Sequence, residues 1–191
     1  CLQSMERAPR MGVAARLDRL SVGRGLFEHH LALWVFDRGG TLQAVQHAFK
    51  YGNRPRYGVA LGRLVGRAFA ETAASPDGVV PVPLHRTREL ERGYNQSRML
   101  ADGVAEALDV PLRTTLLARP HPTRSQTHLS REERWQNVRD AFAADPACAG
   151  GHWLLVDDVL TTGSTAVASG RALTDAGADA VSLATLALAR Q

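Results

Sequence analysis

Residues 152–165 read HWLLVDDVLTTGST. His152–Val156, with its continuous apolar core, suits a strand covered on both faces, as strands of a parallel sheet are. Asp157 and Asp158 end it, and Thr161, Thr162, Gly163, Ser164 and Thr165 follow almost at once. The pattern then turns helical from about Ser164 to Ala176, with Gly177 placed just past the helix end. Val181–Leu188 is a further apolar strand. Strand, helix and strand at this spacing read as a right-handed crossover between parallel strands, so the chain is an α/β fold.

That junction also has a chemistry. Ligands of open α/β sheets sit outside the carboxyl ends of the strands. The bare N–H groups of a helix's first turn, aided by its dipole, favour a phosphate, and Gly163 lets the backbone come close. The aspartates repel such an anion. They can accept hydrogen bonds from sugar hydroxyls or hold Mg²⁺ through water. A sugar 5-phosphate satisfies both halves. A Ser/Thr-capped helix after an ordinary strand is the plain alternative, but it uses one hydroxyl of four and leaves both carboxylates unexplained. A Walker loop is excluded, since no G-x-x-x-x-G-K-[ST] occurs.

The 191 residues suit one α/β domain with a small appendage, or two very small domains. Hydrophobic residues make up 45%, enough for a sizeable core. No stretch approaches the ~18 apolar residues of a membrane span, and no signal peptide opens the chain. A cytoplasmic protein without membrane contact is expected. The first residue is Cys1 rather than Met, which fits a fragment. Cys1 and Cys148, the two cysteines, cannot build a disulfide framework or a four-cysteine zinc site. The net charge is +4, and Lys50 is the only lysine. Arginine suits bidentate phosphate recognition, although a compositional bias explains it equally well. A charge of +4 is weak support for nucleic-acid binding, and no helix-turn-helix pattern is visible.

Along the rest of the chain, residues 1–26 read as a loosely attached N-terminal segment. Leu31–Phe36 reads as a buried strand. Helices are expected from Thr41 to about Tyr51, from Tyr57 to Ala74 and from Asn95 to Leu108. Val79–Pro83 is a short β-type run that its prolines bar from pairing beyond its start. His85–Tyr94 is charged and polar. Leu112–Leu117 is a candidate strand, and residues 119–134 read as a long loop turning helical near Ser130. Trp34, Trp135 and Trp153 are core or interface aromatics; His121 and His128 lack partners at metal-ligand spacing.

LLVDDVLTTGSTA (154–166) resembles the signature with which type I phosphoribosyltransferases bind phosphoribosyl pyrophosphate. HAFKYGNRP (47–55), VPVPLHRTRELERGYNQS (80–97) and TRSQTHLSREERWQNVRDAF (123–142) are similar to the ComF family. That family includes competence proteins and resembles the phosphoribosyltransferase half of glutamine amidophosphoribosyltransferases.

The resemblance implies a type I phosphoribosyltransferase fold over residues 33–191: a central, mostly parallel sheet flanked by helices, with a small hood. Residues 1–32 would be an N-terminal segment, the remnant of a Cys-rich module. By resemblance, Asp157 and Asp158 bind the ribose hydroxyls and Mg²⁺, through water or the ribose, and Thr161–Thr165 hold the 5-phosphate. Val80–Leu84, with Val82 and Pro83, becomes the pyrophosphate loop, where relatives often carry a non-proline cis peptide. Arg86, Arg88, Arg92, Asn95, Gln96 and Lys50 lie where pyrophosphate would be gripped. For the arginines a solvated face, and for Lys50 a surface position, are the competing readings. Residues 119–134 become a closing loop, in which Thr123, Ser125, Gln126 and Arg134 match the family pattern, Arg134 as a catalytic group.

The function implied is Mg²⁺-dependent transfer of phosphoribosyl to an unidentified nitrogenous acceptor. The alternative is a non-catalytic sensor or accessory protein that binds the same sugar in DNA uptake. The resemblance admits a homodimer and contact with DNA-uptake machinery.

Overall fold

The computed structural model describes residues 5–36, 39–45, 55–120, 138 and 140–190. In chain order these form α1 (Arg10–Leu17), β1 (His30–Phe36), a helical stretch α2 (residues 41–45) and α3 (Pro55–Phe69). They continue with β2 (Gly78–Pro81), α4 (Arg86–Arg92), α5 (Gln96–Leu108), β3 (Leu117–Ala118) and β4 (Ala143–Ala144). β5 (His152–Leu160), α6 (Ser164–Asp175) and β6 (Ala180–Ala189) complete the chain. The strand order in the main sheet is β1-β6-β5-β2, and every pair is parallel. β3 and β4 form a separate antiparallel pair.

β5 explains its own apolar run. Trp153 and Leu155 join a core with Val13 and Leu17 of α1 and Val167 and Leu173 of α6. Leu154 and Val156 join the opposite core, with Leu61, Val65 and Phe69 of α3 and Leu100 and Val104 of α5. Alternate side chains thus enter different layers, and helices shield both faces of the sheet.

On the α3/α5 side the helices meet backbone to backbone. A Cβ at Gly62 would stand 2.0 Å from the Leu100 carbonyl oxygen, and one at Gly103 would stand 2.0 Å from that of Val59. Only glycine permits such approach.

The N-terminal segment is not loose. Val13, Leu17, Leu20 and Phe27 are buried in the α1/α6 core, each contributing roughly 1.5–3 kcal/mol on burial. Residues 6–8 run antiparallel along the outer side of β1: the Ala8 N–H donates to Leu33 O at 3.3 Å, and Val35 N–H to Glu6 O at 2.8 Å.

Other boundaries shifted for identifiable reasons. β5 continues through the aspartates to Leu160, which is buried and pairs with Leu188. The polar segment after His85 is helical as α4, its first turn capped by His85 Nδ1 accepting from Thr87 N–H. The strand expected at 112–117 is divided: Leu112 bridges Val79 in parallel, while Leu117 pairs with Ala144. The expected helix after Thr41 is described only to residue 45.

Candidate functional site

The site lies at the carboxyl ends of β2 and β5. β2 pairs with β5 up to Pro81 opposite Val156, and Val82 N–H then donates to Val156 O at 2.9 Å. Pro81 therefore does not end the association, because the next amide takes over the pairing. The segment from Val82 is thereby laid beside Asp157. Val82 is buried and Pro83 half-buried. The resemblance admits a cis peptide here, but none is present among the described residues.

Asn95 is the N-cap of α5: its Oδ1 accepts from Ser97 N–H at 2.9 Å. Its Nδ2 donates to Val82 O at 3.0 Å, tying the helix start to the loop after β2. Ser97 then donates its hydroxyl to Asp157 Oδ1 at 2.8 Å. One helix N-terminus thus supports both the loop and one carboxylate. The same Oδ1 accepts from Asp158 N–H at 2.8 Å, and Asp158 Oδ1 accepts from Val159 N–H at 2.7 Å. Both aspartates are half-buried rather than turned into the core.

Gln96 is 2% exposed, and its Oε1 accepts from Arg92 Nη1 at 3.1 Å. Its Nε2 is buried and meets no acceptor among the described residues. Arg86 and Arg88 are exposed. Arg119, half-buried at the end of β3, stacks over Phe142 with its guanidinium carbon 5.1 Å from the ring centroid. Burial lowers its pKa from the ordinary value, Asp157 raises it, and Arg88 lowers it again. Asp157 and Arg88 thus lie within electrostatic reach of Arg119.

The turn after β5 carries the second half. Gly163 has φ +87° and is the N-cap of α6, so the N-cap residue itself contributes no side-chain cap. The Thr162 and Ser164 hydroxyls lie 3.2 Å apart, and Ser164 N–H makes a long contact of 3.4 Å to Thr162 Oγ1. The N-cap residue itself, a glycine, has no side chain to close the turn. Thr161 is exposed, Thr162 and Thr165 are half-buried, Ser164 is buried, and Gly163 is covered from behind by α1.

The structure brings together Asp157, Asp158, Val82, Pro83, Arg92, Asn95 and Gln96, with the turn 161–165 following directly from β5. Lys50, Arg134, Thr123, Ser125 and Gln126 lie outside the described residues. Sequence reasoning missed Ser97 and Arg119. The signal for Ser97 was its place two residues into a helix opened by Asn95; Arg119 carried none beyond its place at the start of the arginine-rich loop. Among the described residues no three His, Cys, Asp or Glu side chains gather around a common point. The two half-buried carboxylates nonetheless fit Mg²⁺, which is commonly held by one or two carboxylates, its other ligands being water and substrate phosphates.

Residues 95–191 match the phosphoribosyl transferase domain family. The chain is 33% identical over 181 residues to the DNA utilization protein YhgH of Escherichia coli K12, covering 91% of this chain and 80% of that protein. It is 34% identical over 127 residues to competence protein F of Haemophilus influenzae, covering 61% of this chain and 55% of that one. A solved structure described as the allosteric regulatory enzyme of purine biosynthesis superposes with a TM-score of 0.51 at 25% identity. That match covers 73% of this chain, which spans only 30% of the enzyme's. Fold, domain match and relatives agree: the chain has the type I phosphoribosyltransferase fold and belongs to the ComF family of phosphoribosyltransferase-like proteins.

Proposed function

We propose that this protein binds 5-phosphoribosyl 1-pyrophosphate with Mg²⁺ and transfers phosphoribosyl to a nitrogen acceptor. The observation that carries the reading is the β5–α6 junction: two half-buried carboxylates lead into a helix start whose N-cap is a glycine at φ +87°. Asp157 and Asp158 accept hydrogen bonds from the ribose hydroxyls. Thr161–Thr165 hold the 5-phosphate through backbone N–H groups and hydroxyls. Val82, Pro83 and the arginines of α4 receive the pyrophosphate. Bound Mg²⁺ would supply charge neutralisation on pyrophosphate and ribose oxygens. In the reaction the C1–O bond to pyrophosphate breaks, its electron pair leaving with pyrophosphate. The acceptor nitrogen's lone pair forms the new C1–N bond, and its proton passes to solvent. Arg134 and Lys50 complete the assignment as groups near the leaving pyrophosphate. On this reading residues 33–191 are the catalytic domain, with residues 1–32 as the N-terminal segment.

A second reading has its own support in the names of the relatives, a DNA utilization protein and a competence protein. It keeps the sugar-binding site and gives the protein a sensing or accessory role in DNA uptake, without transfer.

Calorimetric titration with phosphoribosyl pyrophosphate, with and without Mg²⁺, followed by pyrophosphate release against a panel of bases and amines, separates them. Binding with acceptor-dependent release establishes transfer. Binding without release for any acceptor favours the sensor, and no binding by the wild-type protein defeats both.

A further inference from the structure

Arg16 is a charged side chain where the sequence pattern gives no reason for one. It lies on α1 and is 7% exposed. Its Nη2 donates to Ala189 O at 2.7 Å, and its Nη1 donates to Thr161 O and, at 3.5 Å, to Leu160 O. One guanidinium therefore joins the carboxyl ends of β5 and β6 to the first residue of the turn. Its backbone lies close as well: a Cβ at Gly163 would come within 3.6 Å of Arg16 O and 3.7 Å of Leu17 Cδ2.

We propose that Arg16 is a positioning residue for the phosphate-binding turn, which rests on the site reading given above. A trans peptide unit is planar, so its C=O and N–H point in opposite directions. The Thr161 carbonyl faces Arg16, so the N–H of Thr162 in the same plane faces away from α1. The weaker contact to Leu160 O biases the N–H of Thr161 the same way. Arg16 thus turns two consecutive amides toward the face where the anion sits, in the manner of a backbone nest. It also sets a fixed positive charge behind that nest. Lysine cannot replace it, because a compact ammonium does not span carbonyls from two strands and a turn as a planar fork does.

The test uses the full chain carrying Arg16→Met, Arg16→Lys or Val13→Ala. Val13 lies on the same helix and is 1% exposed, so its truncation reports the stability cost of α1 packing alone. Affinities for phosphoribosyl pyrophosphate and inorganic phosphate are measured beside the melting temperature. Both Arg16 variants should lose roughly tenfold or more for each ligand, whereas Val13→Ala should lose stability and keep affinity within about twofold. In the wild-type protein, phosphate should shift the ¹⁵N amide resonances of Thr161 and Thr162. Wild-type binding combined with unchanged affinity in the Arg16 variants overturns the positioning role alone, as do unmoved Thr161 and Thr162 amides in a protein that binds. Absence of wild-type binding overturns the site reading and the role with it. The amide measurement needs no variant, so it decides even where Arg16→Met does not fold.

Discussion

Gly103→Ala perturbs the tight α3/α5 contact and the site at once. The added Cβ would stand 2.0 Å from Val59 O and 2.8 Å from Arg63 N. Both are backbone atoms, so no side chain can swing away. Carbon–oxygen contacts settle at roughly 3.3 Å, which asks α3 and α5 to separate by about 1.3 Å. Forced overpacking of this kind costs about 3 kcal/mol, or a fall of about 6–12 °C in melting temperature for a domain of this size. α5 also bears the Ser97–Asp157 bond of 2.8 Å and the Asn95–Val82 bond of 3.0 Å at its N-terminus. Moving the helix drags both, so affinity for phosphoribosyl pyrophosphate should fall as well. Gly62→Ala meets the reciprocal contact, 2.0 Å from Leu100 O. Because either substitution opens the same interface, the double variant should lose less than the sum of the singles. Calorimetric melting of the three variants is the assay. A Gly103→Ala protein melting within 2 °C of wild type would refute the close approach on which the reasoning stands.

Ser97→Ala removes the hydroxyl that holds Asp157 and should weaken sugar-pyrophosphate binding roughly fivefold by titration calorimetry; unchanged affinity would show that Asp157 needs no support from α5. Asp158→Asn should weaken binding of the pyrophosphorylated sugar more than that of inorganic phosphate, and equal losses would contradict a hydroxyl-binding role for the acidic pair. Burial is the largest influence on His30 and lowers its pKa from the ordinary 6.5, against an opposing pull from Asp18 and a further lowering by His29. The unfolded chain therefore binds this proton more readily, so stability should fall as pH drops below about 6.5 and level off beneath the folded-state pKa. His30→Asn should flatten that slope in melting temperature against pH, and an unaltered slope would assign the dependence elsewhere.

The architecture was legible where side chains advertise both faces of an element. Trp153–Val156 is apolar without interruption because successive residues enter opposite cores, and the crossover to β6 followed from that. The acidic pair was equally plain, since adjacent carboxylates have little reason to close an apolar run except chemistry. Boundaries set by charge misled: Asp157 and Asp158 looked like the end of β5, yet Leu160 is buried beyond them. The arginines of α4 hid a short helix whose cap is a histidine nitrogen, an acceptor that cap preferences for Ser, Thr, Asp and Asn do not flag. α1 looked detachable because residues 1–26 are rich in arginine, yet Arg16 is buried. Its partners are carbonyls 144 and more residues downstream, and no local periodicity encodes such a contact.

The ribbon of residues 6–8 along β1 has a consequence for how this molecule keeps to itself. β1 is the outermost strand of the main sheet, and an outermost strand offers a template to any passing chain. Here Glu6 and Ala8 occupy the Val35 amide and the Leu33 carbonyl from outside. They lie antiparallel on an otherwise parallel array, so a further copy cannot simply continue the pattern. A protease nick after Ala8 would therefore do more than shorten the chain: it would strip an adhesive border and leave the protein prone to stacking on its own kind.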